Sequence, residues 1–516
     1  MSITMTSDEK MPATVMDEKA VAHRIENADD ASTLDNRLAQ AQRMSDEEYL
    51  DAEKRLKRKL DIRLMGAIWI IYILNYLDRN NIAAAKVAGI EKSLHLTDTQ
   101  YSSAVSLLFA GYVLMQVPSN IFLAQVRPCI YLPTCMAIWG IISTCTAATQ
   151  SAGGLYAARF FLGVVEAAFY PGSLFLLSSW YKRSELGLRC AILYSGSQIG
   201  SAFSGLIAAG ITEGLDGAMG LAAWRWIFII EGSITVFLSL AAFFVLPDFP
   251  SNTRWLTPEE RAVAEWRLIK DAGQVDEDEG SWPSGFKAAF ADWRLYVFAL
   301  MFFCVLVTTS TQNFFPAVVQ TLGFGKIQTL LLTVPPYAVG AFCCVINNVS
   351  ADKRQNSSFH IMWPLAMAIC GFVIGAATLN TGARYFAMIL MIAGGHGANA
   401  VVVAWTQKTM LRPRIKRAAA VAFVNATGNA AQIFPSYMYT TAAAPRYVLA
   451  MSVNSGFALG GILLALFMRL VLLRENKRLE AGAEVSNVMK GQVAKEIEGI
   501  SEEERIERRT AFRYIA

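Results

Sequence analysis

Twelve runs of about twenty apolar residues leave this chain few ways to fold. A bilayer's hydrocarbon core is about 30 Å thick and a helix rises about 1.5 Å per residue, so about 20 apolar residues make one crossing. Such runs fall near 64–84, 103–124, 130–149, 155–178, 190–213 and 224–246, and again near 294–316, 328–348, 359–379, 384–405, 417–441 and 447–470. Backbone polar groups in hydrocarbon must be satisfied within the segment, which makes each run a helix. The sequence therefore predicts an all-α membrane protein with twelve transmembrane helices in two six-helix bundles. Composition agrees: 54% of the 516 residues are hydrophobic and 17% are charged, against about 25% charge in a soluble domain.

The basic residues give the orientation. Alternate loops hold Lys182, Arg183 and Arg189, then Arg254, Arg261, Arg267 and Lys270, then Lys353 and Arg354, then Lys408, Arg412, Arg414, Lys416 and Arg417, whereas "TQSAGG" and "TEGLDGAMG" hold none. Cytosolic loops carry that excess, so both termini are expected in the cytosol of a multi-pass protein. The start of the chain lacks a signal peptide's basic and apolar segments. Residues 1–60 read as a disordered cytosolic tail ending in a basic collar, "EKRLKRKLDIR" (Glu53–Arg63), that faces anionic lipid. The first bundle is expected over 61–246, a cytosolic central loop over 247–293, the second bundle over 294–472 and a cytosolic tail over 473–516. Within the central loop "TPEERAVAEWRL" has the cap, proline and acidic first turn of a short surface helix. The net charge of +4 is spread over short loops, which fits a lipid bilayer as partner and not nucleic acid. The eight cysteines form no CxxC pair and read as packing residues. A monomer is expected.

Charges inside the runs call for a role, because each costs about 2.5–3.5 kcal/mol at the centre of a membrane helix. In "YILNYLDRNNIAAA" (Tyr72–Ala85), Asn75, Asp78 and Arg79 are spaced i, i+3 and i+4 and share a helix side, while Arg159 and Glu166 lie two turns apart on another helix. Both sides are expected to look away from lipid. One reading is a buried charge network that only pins helices together. The other is transport: the two carboxylates, Asp78 and Glu166, can carry protons, and an arginine fork suits a bidentate carboxylate. Tyr76, Gln198, Gln312, Asn313, Asn399, Asn425 and Asn429 are candidates for substrate contact or for interhelical hydrogen bonds. His396 is a candidate proton carrier or a packing residue, and Glu231 reads as structural. No nucleophile, metal cluster or phosphate loop appears, so neither an enzyme nor a metal site is expected, and no cofactor beyond a coupling proton.

Five stretches occur in order at the expected helices: "LDRNNIAAA" (Leu77–Ala85), "VPSNIFLAQVRPCIYLP" (Val117–Pro133), "RFFLGVVEAAFYPG" (Arg159–Gly172), "WYKRSELGLR" (Trp180–Arg189) and "WRWIFIIEG" (Trp224–Gly232). Together they resemble the anion:cation symporter family of the major facilitator superfamily. "LPDFP" (Leu246–Pro250) and "APRY" (Ala444–Tyr447) are similar to its fungal allantoate permease branch, which takes up nicotinate, pantothenate, biotin and allantoate. The resemblance covers roughly residues 60 to 478. It implies proton-coupled uptake of a small organic anion across the plasma membrane by alternating access. Asp78 and Glu166 would be the proton-coupling acids. Arg79 and Arg159, with Asn75, Tyr76, Gln312 and Asn425, would serve the substrate. Where the superfamily's loop between helices 2 and 3 usually has a glycine and an Asp-Arg pair, Ala124 and Gln125 stand in place of the charges here. The glycine-proline signature of antiporters is missing from "YSGSQIGSAFSGLIAAGI", which argues against drug efflux. A proton-coupled metabolite exporter and a non-transporting nutrient sensor remain as alternatives. The loop assignment has a direct check: a cysteine placed at Gly280 of a cysteine-free variant should react with impermeant maleimide only from the cytosolic side, and labelling of intact cells from outside would overturn the topology.

Overall fold

The computed structural model describes residues 41–123, 126–250, 252–253, 255–273, 282–410 and 414–480. Ala124, Gln125, Gly280 and the tails before 41 and after 480 lie outside the described residues. Within them the chain is helical, with no strand. A first helix, α1 (Asp46–Leu60), runs through five π-helical residues, Asp61–Met65, into α2 (Gly66–Ala88). Then come α3 (Asp98–Leu123), α4 (Pro128–Thr146), α5 (Ala152–Glu166), α6 (Phe169–Ser178), α7 (Arg183–Gly214) and α8 (Ala223–Val245). After α9 (Pro258–Gly273) and α10 (Trp282–Phe290), the second half holds α11 (Trp293–Thr309), α12 (Phe315–Gln320), α13 (Lys326–Leu332), α14 (Val334–Arg354), α15 (Phe359–Ala377), α16 (Thr381–Thr409), α17 (Arg414–Ala430) and α18 (Val448–Glu480).

Three pairs, α5 with α6, α11 with α12 and α13 with α14, are broken rods, so the twelve crossings stand. The breaks follow from proline, which lacks the N–H that bonds the carbonyl four residues back. Pro171 leaves Ala167 without that bond, and the chain turns at Ala167 and Ala168, directly after Glu166. Pro316 offers the Gln312 carbonyl no N–H, and that carbonyl accepts the Phe315 N–H in a tighter turn and the Tyr337 hydroxyl at 3.4 Å. Among the described residues nine helices are long and apolar enough to cross a membrane by length and composition alone. The other three crossings are α3, α7 and α17. The last has 17 residues, and α3 and α7 carry serine, glutamine and glycine among their apolar residues. α7 packs on α13 and α14 and α3 packs on α17, so both helices also meet the other half of the molecule.

Close packing brings α3 against α5. A Cβ on Gly163 would collide with the Leu108 carbonyl, and one on Gly111 with the Phe160 carbonyl, so only glycine permits this approach. One buried apolar cluster fills the first half and continues through Phe314, Phe315, Tyr439 and Met451 into the second. A separate cluster, with Leu295, Phe298, Trp405 and Met468, fills the second half near the start of α11 and the end of α18. The two halves therefore share a core at the end opposite α1 and α9, the far end, and have separate cores at the end that carries those helices, the tail end.

Residues 46–60, expected within a disordered tail, are helix α1, and the correction has a physical basis. The Ser45 hydroxyl and the Glu48 carboxylate form a reciprocal capping box. Ala52, Leu56 and Leu60 recur every fourth residue and are buried, and α1 packs on α9. Ion pairs complete the seal: Lys57 to Glu185 at 2.6 Å, Lys182 to Glu53 at 2.5 Å, Lys59 to Glu260 at 2.5 Å, and the fully buried Arg267 to Glu185 at 3.1 Å. The sequence pattern of α9 is as expected, but the helix is packed on α1 and the first half and is not a free surface element.

The second half has its own clamp. Asp292, 2% exposed, accepts both Arg294 Nε and Nη2, at 3.0 and 3.1 Å, and the Lys416 ammonium at 2.8 Å, while Arg294 also reaches Glu475 at 3.2 Å. This ties the end of the linker to α11, α17 and α18. Burial pushes the Asp292 carboxyl up, but the Arg294 fork and Lys416 outweigh it and hold the carboxyl below the usual range. A depressed carboxyl stabilises the fold above its unfolded pKa and loses that contribution as pH falls through the folded value. Asp292→Asn should therefore lower stability by about 3–5 kcal/mol, the usual cost of stranding buried cations. The deficit should shrink on acidification below the ordinary carboxylate range; thermal melts in detergent across pH decide it, and an unchanged midpoint would refute the clamp.

Candidate substrate site

Helical geometry decides which residues of α2 meet at the centre. Successive residues turn by about 100°, so with Asn75 as origin Arg79 sits about 40° to one side, Tyr76 about 100° to the same side and Asp78 about 60° to the other. Asn75, Tyr76 and Arg79, with Tyr72, line a cavity between the halves; Asp78 does not. The cavity has a volume of about 70 Å³, room for several waters at roughly 10–15 Å³ each or for a compact ligand. The first half also contributes Phe109, Tyr112, Tyr170 and Tyr194. The second contributes amides, Gln312, Asn313, Asn399, Asn425, Asn429 and Gln432, with His396 and Thr309. One wall is thus aromatic and carries the charge, and the other is neutral and polar.

Arg79 is the cation on that lining. Its Nε and Nη2 both donate to Glu166 Oε2, at 3.0 and 2.8 Å. Its guanidinium carbon lies 5.1 Å from the Tyr76 ring centre and 5.0 Å from that of Tyr112, so two π faces support the charge that the carboxylate neutralises. The carboxylate is engaged through one oxygen; Glu166 Oε1 is buried without a hydrogen bond. Arg159 lies behind this pair. Its Nη2 donates to the Arg79 carbonyl at 3.2 Å, while Nε and Nη1 are buried and unpartnered. Neither Arg159 nor Glu166 lines the cavity, although both touch the residue that does.

Asp78 belongs to another neighbourhood. It accepts the Ser143 hydroxyl of α4 at 2.6 Å and the Thr235 hydroxyl of α8 at 2.7 Å. The expectation that Asn75, Asp78 and Arg79 share a side therefore divides: all three avoid lipid, but Asp78 looks into the first bundle. Among the amides, Gln312 Nε2 reaches across the halves to Ser201 Oγ at 2.9 Å, and the Asn425 carbonyl accepts Asn429 Nδ2 at 2.9 Å. His396 lies 3.5 Å from the Tyr194 hydroxyl. Sequence reasoning named Tyr76 and missed Tyr72, Tyr112, Tyr170 and Tyr194. The available signal was their depth, since membrane tyrosines otherwise gather at the interfaces.

The far end is shut. The backbone N–H and hydroxyl of Thr441 both donate to Asp98, Ser106 Oγ donates to the Ile433 carbonyl at 2.8 Å, and the Ser103 and Tyr437 hydroxyls meet at 3.1 Å. Beneath them Phe314 stacks on Tyr439 at 4.9 Å, and the Lys86 ammonium sits 4.3 Å over Tyr101. The cavity lies on the tail side of this plug. Asp98→Ala removes the acceptor for both Thr441 donors, so it should favour opening at the far end. A cysteine at Asn313 should then be labelled by impermeant maleimide from the far side several times faster than in the parent, and an equal rate would remove Asp98 from the plug.

Comparison with known proteins places this geometry. Residues 68–436 match the Major Facilitator Superfamily. The chain is 32% identical over 465 residues to the MFS-type transporter cnsO of Penicillium expansum, covering 88% of this chain and 89% of that protein. It is 32% identical over 449 residues to the major facilitator-type transporter hxnP of Emericella nidulans, covering 85% and 90%. Among solved structures, a bacterial homologue of the human lysosomal transporter Spinster, in an inward-facing and unoccupied conformation, superposes with a TM-score of 0.58 at 17% identity, covering 79% of this chain and 94% of that one; that likeness supports the fold. The chain belongs to the major facilitator superfamily, as a multi-pass membrane transporter.

Proposed function

We propose that this transporter carries a small organic anion together with protons, by alternating access, into the cell. The observation that supports it most is the Arg79–Glu166 pair: the guanidinium fork on the cavity wall is held by a group that can be protonated. A substrate carboxylate and the Glu166 carboxylate compete for the same donors. While Glu166 is ionised it occupies Arg79; a proton on Glu166 cancels that charge and releases the fork to an incoming anion. Binding of the proton and of the anion then favour each other, and that reciprocity is what coupling requires. The remaining cavity walls offer ring faces and neutral amides, including an unpartnered Asn75 Nδ2, which suits a compact carboxylate such as nicotinate, pantothenate, biotin or allantoate. That substrate range rests on the sequence resemblance to the allantoate permease branch. In this reading the tail end, with its basic loops, is cytosolic, the plasma membrane is the site of action, the protein works as a monomer, and the shut far end makes the structure inward-facing.

Proteoliposomes tested against a panel of radiolabelled monocarboxylates, with and without an inward proton gradient, examine the proposal. The parent should concentrate at least one compound only when the gradient is present. Glu166→Gln, a fixed mimic of the protonated acid, should still exchange that compound across the membrane but lose uphill accumulation. Arg79→Lys keeps the charge and loses the planar fork, so affinity should fall roughly ten- to hundredfold, the equivalent of one charge-assisted hydrogen bond. Gradient-driven accumulation by Glu166→Gln at the parent's level would give the coupling role to another residue, and outward pumping by the parent would favour an exporter.

A further inference from the structure

Behind α2, away from the cavity, the interface with α4 and α8 holds a second set of buried polar groups. Glu231 of α8 is 2% exposed and Asn81 of α2 is 0% exposed. Both carboxyl oxygens of Glu231 and both amide atoms of Asn81 lack a hydrogen bond of normal geometry, although the two side chains are neighbours. Asp78, also fully buried, lies beside them and already has its two oxygens on Ser143 and Thr235. The Trp139 indole N–H of α4 is close to Asp78 and unpartnered. Asp78 is the ionisable group beside Glu231, α4 presents Ser143 and Trp139 to Asp78, and among the described residues no cation pairs with either Glu231 oxygen.

A carboxylate in apolar surroundings needs donors or a cation, and one that has neither takes up a proton instead. Neither of the two cavities described here is lined by Glu231, Asp78 or Asn81, and a proton needs no cavity. We propose that Glu231 is a proton-binding site, held as a neutral carboxylic acid, and that with Asp78 and Asn81 it forms a proton-holding pocket between α2, α4 and α8 separate from the substrate cavity. Ionising Glu231 would set a negative charge beside Asp78, and the cation that acts on Asp78, Arg159, does not act on Glu231. The position of α2 against α8 is therefore linked to the occupancy of this proton, and Asp78 directly precedes Arg79. The inference stands independently of which substrate the cavity takes.

Infrared spectroscopy of the purified full chain in lipid nanodiscs tests it without a substrate. The parent at neutral pH should show the carbonyl stretch of a buried protonated carboxylic acid, and Glu231→Gln should lose that component. A Glu231→Gln spectrum identical to the parent's in this region would mean that Glu231 is ionised and would overturn the proposal. Should Glu231→Gln fail to fold, Asn81→Leu provides the second reading. It removes the amide beside the acid, so the carbonyl band should shift in frequency, and a band at the parent's frequency would equally overturn the pocket.

Discussion

The cost of a charge in hydrocarbon governs this molecule. Arg79 and Asp78 are adjacent in the chain, yet the structure resolves their burial in opposite directions. Arg79 reaches a carboxylate on α5, 87 residues away, and Asp78 reaches hydroxyls on α4 and α8. Each bond ties α2 to a different neighbour, so α2 is the helix on which the first half is assembled. The same two residues put a charge pair on the cavity wall and a polar cluster behind it. A single turn of sequence thus separates a surface that can meet a ligand from one that cannot.

Most of the fold was legible in the sequence, for one reason: a membrane helix must bury a full crossing's worth of apolar residues, and twelve such runs leave little ambiguity about class or count. What hydropathy alone does not reveal is the neighbour of each helix. α3 and α7 meet the opposite half as well as their own bundle, a position that an apolar run does not announce. α1 was illegible for the opposite reason. Its mean composition is polar, and the apolar residues Ala52, Leu56 and Leu60 acquire meaning only when α9, some two hundred residues later, supplies the surface they cover.

The site was legible in part. Asn75, Tyr76, Arg79, Gln312 and Asn425 line the cavity, and each stood out as a polar residue within an apolar run. Asp78, Arg159 and Glu166 stood out by the same criterion and do not line it. The criterion detects shelter from lipid, and the interior of a six-helix bundle shelters a side chain as well as the space between bundles does. The difference of about 100° between Asp78 and Arg79 around α2 is within the tolerance of any estimate of a helix's facing made from one sequence. The pairing of Glu166 with Arg79, and not with Arg159 two turns before it, depends on how α5 meets α2, which local spacing does not encode.

Alternating access needs two halves that stay internally rigid while the contacts between them change. The distribution of bonds fits that requirement. At the tail end the ion pairs are made within a half: Lys57, Lys182 and Arg267 bind Glu53 and Glu185 in the first, and Arg294 and Lys416 bind Asp292 in the second. These charge clusters, buried at Arg267 in the first half and at Asp292, Arg294 and Lys416 in the second, carry α1, α9 and the end of the linker with the half they are attached to. At the far end the bonds run between halves and are of a weaker kind, hydroxyls to carbonyls, hydroxyls and one exposed carboxylate. Links of that kind, worth about 0.5–1.5 kcal/mol each when neutral, can be exchanged for water during a cycle, whereas breaking a buried ion pair costs about 3–5 kcal/mol. In the proposed cycle the strong interactions define the moving bodies and the weak ones define the gate, and Arg79 and Glu166, the strong pair that borders the cavity, are where the proposed proton would change the balance.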